Sequence, residues 1–233
     1  MLESSESPHL TPKAVLTRQR ILDTALQLFA TKGYEKTTMR DIAAAAGCSL
    51  GLTYRYFASK EDLVLELYHW LATQLEEQVR LLPAGPIADR FHHLMRGLLG
   101  VMEPHRLTLG ALFGAALNPL SRAGVFGAEG ADIRQSARAA YIPVVTQAKD
   151  APRASQVDAL ATLLYGLQLA LVLFWLQDLS SGAHRTQELL LFVHDLLGRI
   201  RPLLRLPLIA QTLARFVHII GPLLGQDETP FAE

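Results

Sequence analysis

The chain has 233 residues and a mass of 25.7 kDa, which suit one small domain and one larger domain. Hydrophobic residues make up 50% of it, so the formation of a sizeable core is not in question. The 22 basic and 22 acidic side chains leave a formal net charge of zero, which argues against a protein that binds nucleic acid through bulk charge alone.

The N-terminal residues 1–12 are expected to form a disordered arm. Residues 1–10 carry Glu3 and Glu6 and lack the apolar run of a signal peptide.

The single cysteine, Cys48, cannot form an internal disulfide, so the sequence favours the cytoplasm. A packed core thiol is the favoured interpretation of Cys48, and a redox-sensing thiol is the alternative.

The first helix is predicted to begin at Thr11-Pro12, because threonine is a common N-cap and proline suits the first helical position. Apolar residues then recur at helical spacing until Gly33 ends the helix.

The N-terminal part of the chain is basic. From Thr11 to Lys60 there are eight basic and three acidic side chains, an excess of five positive charges. Such a local basic stretch on a neutral protein favours sequence-specific DNA binding. Arg18 and Arg20 are either phosphate contacts or solvated surface.

Two short helices joined by a tight turn are predicted within residues 37–60, TTMRDIAAAAGCSLGLTYRYFASK. Thr38 and Asp41 have the spacing of a capping box at the start of the first helix, and Gly47 can end it by taking a positive φ. Ser49 can cap the second helix, which extends to Tyr56. A second helix of this kind can enter the major groove of DNA and contact base edges.

A third start signal, Ser59-Lys60-Glu61-Asp62, opens a long helix predicted over residues 60–82. Lys60 therefore lies at a helix N-terminus, where a cation opposes the helix dipole. Together with free backbone N–H groups, the same cation can bind a phosphate. A residue that disfavours its own helix without an evident structural gain often belongs to a functional site, which favours a functional role for Lys60.

These residues resemble the N-terminal DNA-binding domain of TetR-family transcriptional regulators. The resemblance extends over about residues 13 to 80, and its motifs are Gly33-Tyr34, Thr37-Thr38, Arg40-Asp41-Ile42-Ala43, Gly47, Ser49, Gly51 and the stretch YRYFASKEDL at 54–63. It implies an all-α homodimer in which a three-helix helix-turn-helix head is followed by a larger ligand-binding and dimerisation domain.

The resemblance also implies which residues contact DNA. The set comprises Thr38 and Arg40 on the second helix, Ser49, Leu50, Gly51, Leu52 and Tyr54 on the third, and Tyr56 and Lys60 as phosphate contacts. Leu50 and Leu52 stand where the family often has polar residues, and Thr53 stands where an apolar core residue is usual. These departures leave open whether Leu52 or Thr53 faces the bases, and they indicate apolar contact with thymine methyl groups.

The domain organisation follows from the helix breakers. Two prolines and a glycine at 83–86 end the long helix. The predicted parts of the chain are therefore the arm at 1–12, a DNA-binding domain at 13–59, a connecting helix at 60–82 and an effector-binding and dimerisation domain at 83–233. Further helices are predicted at 86–101, 104–116, 131–149, 154–179, 184–201 and 207–223. Pro143 should kink the third of these, and 124–130 is the expected mobile loop.

One stretch, Ala159–Gln177, has nineteen residues without a charge and approaches the length of a membrane span. Polar residues interrupt it and no Lys/Arg cluster flanks it, so a buried helix at a dimer seam is favoured over a membrane anchor. The resemblance places the last pair of long helices in a four-helix bundle across a two-fold axis. The expected dimer contacts are Leu171, Phe174, Leu190, Val193 and Leu197.

No catalytic or metal-binding pattern is present, since the histidines are scattered and phosphate loops and nucleophile elbows are missing. We therefore expect no catalysis, no cofactor and no metal. Apolar and aromatic residues with a few polar tips suggest a small-molecule pocket in the larger domain, with simple core filling as the alternative. The expected lining residues are Met95, Met102, His105, Phe113, Tyr141, Tyr165, Gln168 and Trp175.

The predicted function is that of a cytoplasmic, homodimeric transcriptional regulator. A repressor released from a near-palindromic operator by a small, largely apolar effector is favoured. An activator or a ligand-independent regulator of the same fold is the alternative. The competing hypothesis from a different class is a membrane-tethered or scaffolding helical protein. A soluble dimer on gel filtration without detergent would count against it.

Overall fold

The computed structural model describes residues 11–117, 124, 127–200 and 207–226. Their secondary structure is helical and includes no strand, which confirms the predicted all-α class. Residues 1–10 of the predicted arm and residues 125–126 of the predicted loop at 124–130 lie outside the described residues. The α-helices are α1 Pro12–Lys32, α2 Met39–Ala45, α3 Leu50–Tyr56, α4 Lys60–Arg80, α5 Ile87–Met102, α6 Arg106–Leu117, α7 Ala131–Ala139, α8 Tyr141–Thr146, α9 Ala154–Gln177, α10 His184–Ile200 and α11 Pro207–Ile220.

Helices α1 to α3 form the N-terminal head, whose centre is apolar. Ile21, Ala25, Phe29 and Ile42 are completely buried there, and Phe57 closes the end of α3 over them. Three of these five come from the apolar stripe of α1, so the predicted stripe packs inward from Ile21 onward, whereas Leu16 at its start is 72% exposed.

The head is attached to the rest of the protein in two places. Helix α4 begins beneath the head and packs along α5, α7 and α8. Helix α6 packs against α1, where the Thr108 hydroxyl donates to the Leu26 carbonyl at 3.3 Å. A change in the position of α4 or α6 would therefore reach the head directly.

One predicted helix is wrong, because the segment 131–149 forms two helices instead of one kinked helix. Helix α7 ends at Ala139, and α8 runs only from Tyr141 to Thr146. Pro143 has no N–H to donate to the Ala139 carbonyl four residues earlier, and its ring clashes with that carbonyl. The helix is therefore interrupted before the proline. Ends of the other predicted helices differ from the observed ones by up to three residues.

Helix α9 contains the long apolar stretch. By length and composition it is the one helix among the described residues that could cross a membrane, and 44% of its most apolar window is buried in the protein. Its neighbours are α6, α7, α8, α10 and α11, and Trp175 and Leu164 are almost fully buried. These contacts are those of a core helix of a globular protein.

Arg90 on α5 holds the turn after α4 against the end of α8. Its guanidinium donates to the carbonyls of Val144 at 3.0 Å, Pro143 at 3.1 Å and Pro83 at 2.9 Å. The residue is 2% exposed. A buried charge is costly unless it is hydrogen-bonded, and here three carbonyls satisfy it. This side chain therefore fixes the α4–α5 turn relative to α8.

We predict that Arg90→Leu lowers the free energy of unfolding by about 2 to 4 kcal/mol, because buried carbonyls lose their donors. Urea denaturation followed by circular dichroism, at one fixed protein concentration, measures the loss. Arg96 lies exposed on the same helix, so Arg96→Leu is the matched control and should change stability by less than about 0.5 kcal/mol. Equal losses of stability in the two variants would contradict the stabilising role of the Arg90 hydrogen bonds.

Candidate nucleic-acid interface and ligand cavity

The start of α2 has the predicted capping box. The Asp41 N–H donates to the Thr38 hydroxyl at 3.2 Å, and the Thr38 N–H donates to the Asp41 carboxylate at 2.9 Å. Lys32 at the end of α1 donates to the same carboxylate at 2.7 Å. The lysine and then Thr38 lower the pKa of Asp41 to about 2. The carboxylate is therefore ionised at neutral pH and ties α2 to α1.

The turn and the start of α3 also follow from local chemistry. Gly47 has a φ of 63°, a conformation that glycine adopts without steric cost. The Leu52 N–H donates to the Ser49 hydroxyl at 3.1 Å, so Ser49 is the N-cap of α3. Two caps and one glycine thus set the relative orientation of α2 and α3.

The structure decides which side of α3 faces outward. Thr53 is completely buried, and its hydroxyl donates to the Ser49 carbonyl at 3.2 Å. Leu52, one position earlier, is partly exposed, so of the two residues it is Leu52 that lies on the outer side. The hydrogen bond to its own helix allows Thr53 to stand where an apolar residue is usual.

The predicted DNA contacts share the outer surface of the head. Thr38, Arg40, Ser49, Gly51 and Tyr54 are exposed, whereas Leu50, Leu52, Tyr56 and Lys60 are partly exposed. Leu50 and Tyr56 also pack against the core. Arg55 on α3 is also exposed, so it adds a second guanidinium to that of Arg40 on α2. We call the surface formed by these residues the α2–α3 face.

Lys60 is the first residue of α4 and is oriented by Tyr34. Its ammonium donates to the Tyr34 carbonyl at 2.9 Å and lies 4.4 Å from the centre of the Tyr34 ring. The Tyr34 hydroxyl in turn donates to Glu61 at 2.9 Å. An ammonium has three N–H donors, and the carbonyl uses one of them. The arrangement therefore holds a cation at a helix N-terminus beside the α2–α3 face.

Arg18 connects α1 to α4. Its guanidinium makes two hydrogen bonds to the Glu66 carboxylate, at 2.7 and 2.6 Å, and lies 4.8 Å from the centre of the Phe57 ring. These contacts support a structural role for Arg18. Arg20 donates to the Cys48 sulfur at 3.4 Å, which places that thiol next to α1.

An apolar cavity of about 170 Å³ lies in the larger domain. Helices α4, α5, α6, α7 and α9 supply its walls. The lining side chains are largely aliphatic and include four polar ones. The full set is Tyr68, Leu71, Ala72, Leu75, Leu98, Met102, Leu109, Leu112, Gly130, Ile133, Arg134, Ala137, Tyr165, Gln168, Leu169, Val172, Leu173 and Leu176.

Three of the predicted pocket residues, Met102, Tyr165 and Gln168, line this cavity. The others are placed differently. Met95 and Trp175 are buried core residues outside the lining. Tyr141 is buried behind the wall and donates to Gln168, and His105 packs edge-on against Trp70 with ring centres 4.9 Å apart. The Phe113 side chain lies outside the described side chains.

Sequence reasoning missed the α4 wall and Arg134. Tyr68, Leu71 and Leu75 follow the apolar stripe of α4, which looks like ordinary core packing. Arg134 shares a helical face with Ala137, three residues later. A cation on the apolar side of a helix was the signal that could have identified it.

The predicted dimer residues need correction. Leu171, Leu190 and Val193 are 2%, 4% and 6% exposed within one protomer, because they pack against the protomer's own core. They have no surface to offer a second protomer. Phe174 is exposed and Leu197 partly exposed, so these two remain available.

Within the described residues, no group of three or more His, Cys, Asp or Glu side chains is placed to hold a metal ion.

The head is the part of the chain that matches a sequence family. The model of the family described as bacterial regulatory proteins, tetR family, matches residues 21–67, from α1 into α4. Residues 21–67 of the chain are thus similar to the tetR family of bacterial regulatory proteins. The matched segment includes both helices of the helix-turn-helix, α2 and α3.

Similarity to individual proteins is concentrated in the same part. The HTH-type transcriptional repressor KstR2 of Mycobacterium tuberculosis is 48% identical over 92 residues, which are 38% of this chain and 45% of that protein. The HTH-type transcriptional regulator AcrR of Shigella flexneri is 41% identical over 61 residues, 26% of this chain and 28% of that protein. The chain thus matches less than half the length of either relative.

The likeness to solved structures extends further. A tetR-family transcriptional regulator from Streptomyces coelicolor superposes with a TM-score of 0.61 at 20% identity, over 87% of this chain and 88% of that one. At this identity the likeness concerns the fold. The TetR-family architecture of a helix-turn-helix head and a larger helical domain therefore extends beyond the matched head.

We predict that Arg18 and Glu66 stabilise the head by a coupling energy of about 0.5 to 1 kcal/mol, a modest value because both side chains are about a third exposed. A double-mutant cycle with Arg18→Met and Glu66→Gln measures it by denaturation. Arg18 also lowers the pKa of Glu66. The coupling should therefore be present at neutral pH and be lost as the pH falls through that lowered pKa. Strictly additive single effects at pH 7 would contradict this.

Proposed function

We propose that the protein is a homodimeric, cytoplasmic transcriptional repressor that binds a near-palindromic operator and is released from it by a small, largely apolar ligand. The observation that carries the proposal is the α2–α3 face. There, two capped helices present polar, basic and small side chains to solvent while Thr53 is locked into the core. The name of the relative KstR2, a transcriptional repressor, supports the sign of regulation.

The proposed recognition of DNA combines contacts to base edges, which specify the sequence, with contacts to phosphates, which position the protein. Arg40 and the residues at the start of α3 would contact base edges, with Leu52 against thymine methyl groups. Tyr56 and Lys60 would bind phosphates at the edge of the face, because a cation at a helix N-terminus suits an anion. In a two-fold dimer the two α3 helices would enter major grooves about 34 to 36 Å apart or a multiple of that distance.

The proposed release depends on helices that belong to both the cavity and the head. Helix α4 lines the cavity with Leu71 and Leu75 and carries Glu66 and Lys60 at its other end. Helix α6 lines the cavity and packs on α1. A ligand can weaken DNA binding only if it prefers the arrangement in which the two heads no longer match the operator.

The first test is to titrate purified protein against a labelled fragment from upstream of its own gene, following fluorescence anisotropy at several salt concentrations. Binding that resists random competitor DNA supports sequence-specific regulation. Because about one salt-slope unit is lost per phosphate contact, the slope reports how many phosphates are bound. Site selection from a random library extends the test to an operator elsewhere, and no preference for any sequence would refute the proposal.

We predict that Arg40→Ala weakens operator binding by about 1 to 3 kcal/mol and leaves binding to random DNA less affected, since a base contact is lost. Lys60→Ala is the contrasting variant. It should weaken both kinds of DNA alike and reduce the salt slope by about one, as expected for a lost phosphate contact. Anisotropy on the two DNAs separates the outcomes. Equal losses for Arg40→Ala would reassign that residue to the phosphates.

The proposed dimer surface lies on the outer side of α10 and the adjoining part of α9. Leu190 and Val193 turn one side of α10 toward the core, which leaves Leu191, Phe192 and Leu196 on the opposite side. Phe192 is 60% exposed and Phe174 on α9 is 41% exposed. Large exposed apolar residues at helical spacing are typical of a protein interface. This surface keeps Phe174 from the dimer contacts predicted from sequence and leaves out the buried Leu171, Leu190 and Val193.

We predict that Phe192→Glu raises the dimer dissociation constant at least about 100-fold, because association would bury an unpaired charge. Sedimentation equilibrium measures the constant, and operator affinity should fall with it. Phe216 on α11 is 50% exposed, so Phe216→Glu is a matched control that should remain dimeric. A monomeric Phe216 variant beside a dimeric Phe192 variant would move the interface to α11.

A further inference from the structure

Two polar side chains in the cavity wall have hydrogen-bond donors that the described part of the chain does not use. Tyr165 and Gln168 both line the cavity and are only 3% and 9% exposed. They lie three residues apart on α9, so they share one face of that helix. Polar groups buried this deeply are normally hydrogen-bonded. An unused donor in a largely apolar wall therefore indicates a contact that is made with a ligand.

The first donor is the Tyr165 hydroxyl, which has no hydrogen-bond partner within the described residues. Its oxygen is not among the fully enclosed polar atoms that lack a partner, so part of its surface is open, and the cavity is the space that this residue borders. Burial raises the pKa of Tyr165 to about 12, against the opposing effect of Arg134. The phenol therefore keeps its proton at neutral pH and can donate a hydrogen bond.

The second donor is the side-chain amide of Gln168, whose orientation is fixed from behind the wall. The completely buried Tyr141 donates its hydroxyl hydrogen to Gln168 Oε1. Because this bond uses the amide oxygen, the amide nitrogen is left over, and it has no partner within the described residues. The nitrogen is not fully enclosed either. Gln168 thus presents N–H donors on the same helix face as the Tyr165 hydroxyl.

Two neighbouring donors fit a ligand atom that only accepts. A carbonyl oxygen has two lone pairs and no proton, so it can accept from both the phenol and the amide. A ligand hydroxyl would bring a proton that itself needs an acceptor, and a carboxylate would bring a charge that two neutral donors satisfy only in part. The rest of the wall is largely aliphatic and suits an apolar body.

The volume restricts the size of that body. An engineered apolar cavity of about 150 Å³ is known to bind benzene, and the cavity described here measures about 170 Å³. One ring with a short substituent therefore fits the space as it stands.

We propose that the ligand is a small apolar carbonyl compound, a ketone or an ester, whose oxygen accepts hydrogen bonds from Tyr165 and Gln168. Its apolar body lies against Leu75 of α4 and Leu112 of α6. This inference rests on the proposal that the protein is a ligand-released regulator, and it names the chemical class of that ligand. A molecule anchored on α9 in this way contacts the two helices that reach the head.

Isothermal titration calorimetry of the full chain with acetophenone and with isopropenylbenzene tests the inference. The two probes have the same ring and nearly the same flat shape, and they differ in the carbonyl oxygen, which is a CH2 group in the second. Tyr165→Phe should weaken acetophenone binding about three- to tenfold, the ratio that one neutral hydrogen bond supplies. The same variant should not weaken isopropenylbenzene binding, because that probe has no acceptor. Gln168→Met should likewise weaken acetophenone alone.

The matched control is Tyr68→Phe. Tyr68 borders the same cavity from α4, so this variant makes the same chemical change at another point of the wall. It should bind acetophenone as the wild-type protein does, because its hydroxyl is not part of the proposed pair. Circular dichroism establishes that each variant is folded, and undiminished binding of isopropenylbenzene establishes that its cavity is intact.

Four results would overturn the inference. Unchanged acetophenone affinity in Tyr165→Phe, or an equal loss for both probes, would mean that the hydroxyl does not bind the carbonyl. A loss in Tyr68→Phe instead would place the oxygen on α4. Benzoate binding more tightly than acetophenone would replace the carbonyl compound by an anion, and binding of neither neutral probe would exclude the class.

Calorimetry uses no DNA, so these failures are distinct from a failure of operator binding. With an operator in hand, acetophenone should release the wild-type protein from it. The concentration needed should be about three- to tenfold higher for Tyr165→Phe, since release follows the affinity for the ligand.

Discussion

The two hydrogen bonds between Arg18 and Glu66, at 2.7 and 2.6 Å, join the first helix of the head to α4. Phe57, at the end of α3, packs beneath the same guanidinium. This attachment links the head to the cavity, because α4 is also the helix against which α5 and α7 pack and along which the cavity lies. Without it, the head would be held to α4 by the chain, by the contacts of Tyr34 with Lys60 and Glu61, and by apolar packing. The contact of α1 with α6 supplies the second attachment.

The larger domain shows how a cavity is kept open inside a well-packed helical protein. Pro143 interrupts the helix that would otherwise run through α7 and α8, so α7 can take its own direction against α4 and α9. Arg90 then holds the end of α8 through the carbonyls of Pro143 and Val144. The wall that contains Arg134 is therefore positioned by a proline and a buried arginine, and neither of these lines the cavity. The chemistry of the cavity and the geometry of the cavity are set by different residues.

Much of the head could be predicted from the sequence, because capping is a short-range interaction. The hydroxyls of Thr38 and Ser49 each bind an N–H three residues later, as their spacing predicts. The orientation of α3 could not be predicted in the same way. Leu52 and Thr53 are adjacent, and helix propensity does not say which of two neighbours faces the core, so the choice between them depends on how α3 packs within the head. A threonine was tolerated inside because its hydroxyl found a carbonyl within its own helix.

The sequence by itself determined the all-α class, the start and end of most helices and the nature of the head, since these depend on residues a few positions apart. The tertiary structure alone decided which apolar residues form a cavity wall and which fill the core. Met95 and Met102 lie on the same helix and are both buried, yet only Met102 faces the cavity. It also decided that Leu190 and Val193 face inward and Phe192 outward. Helical periodicity identifies an apolar face, but the partner of that face comes from helices distant in the chain, and their arrangement depends on packing.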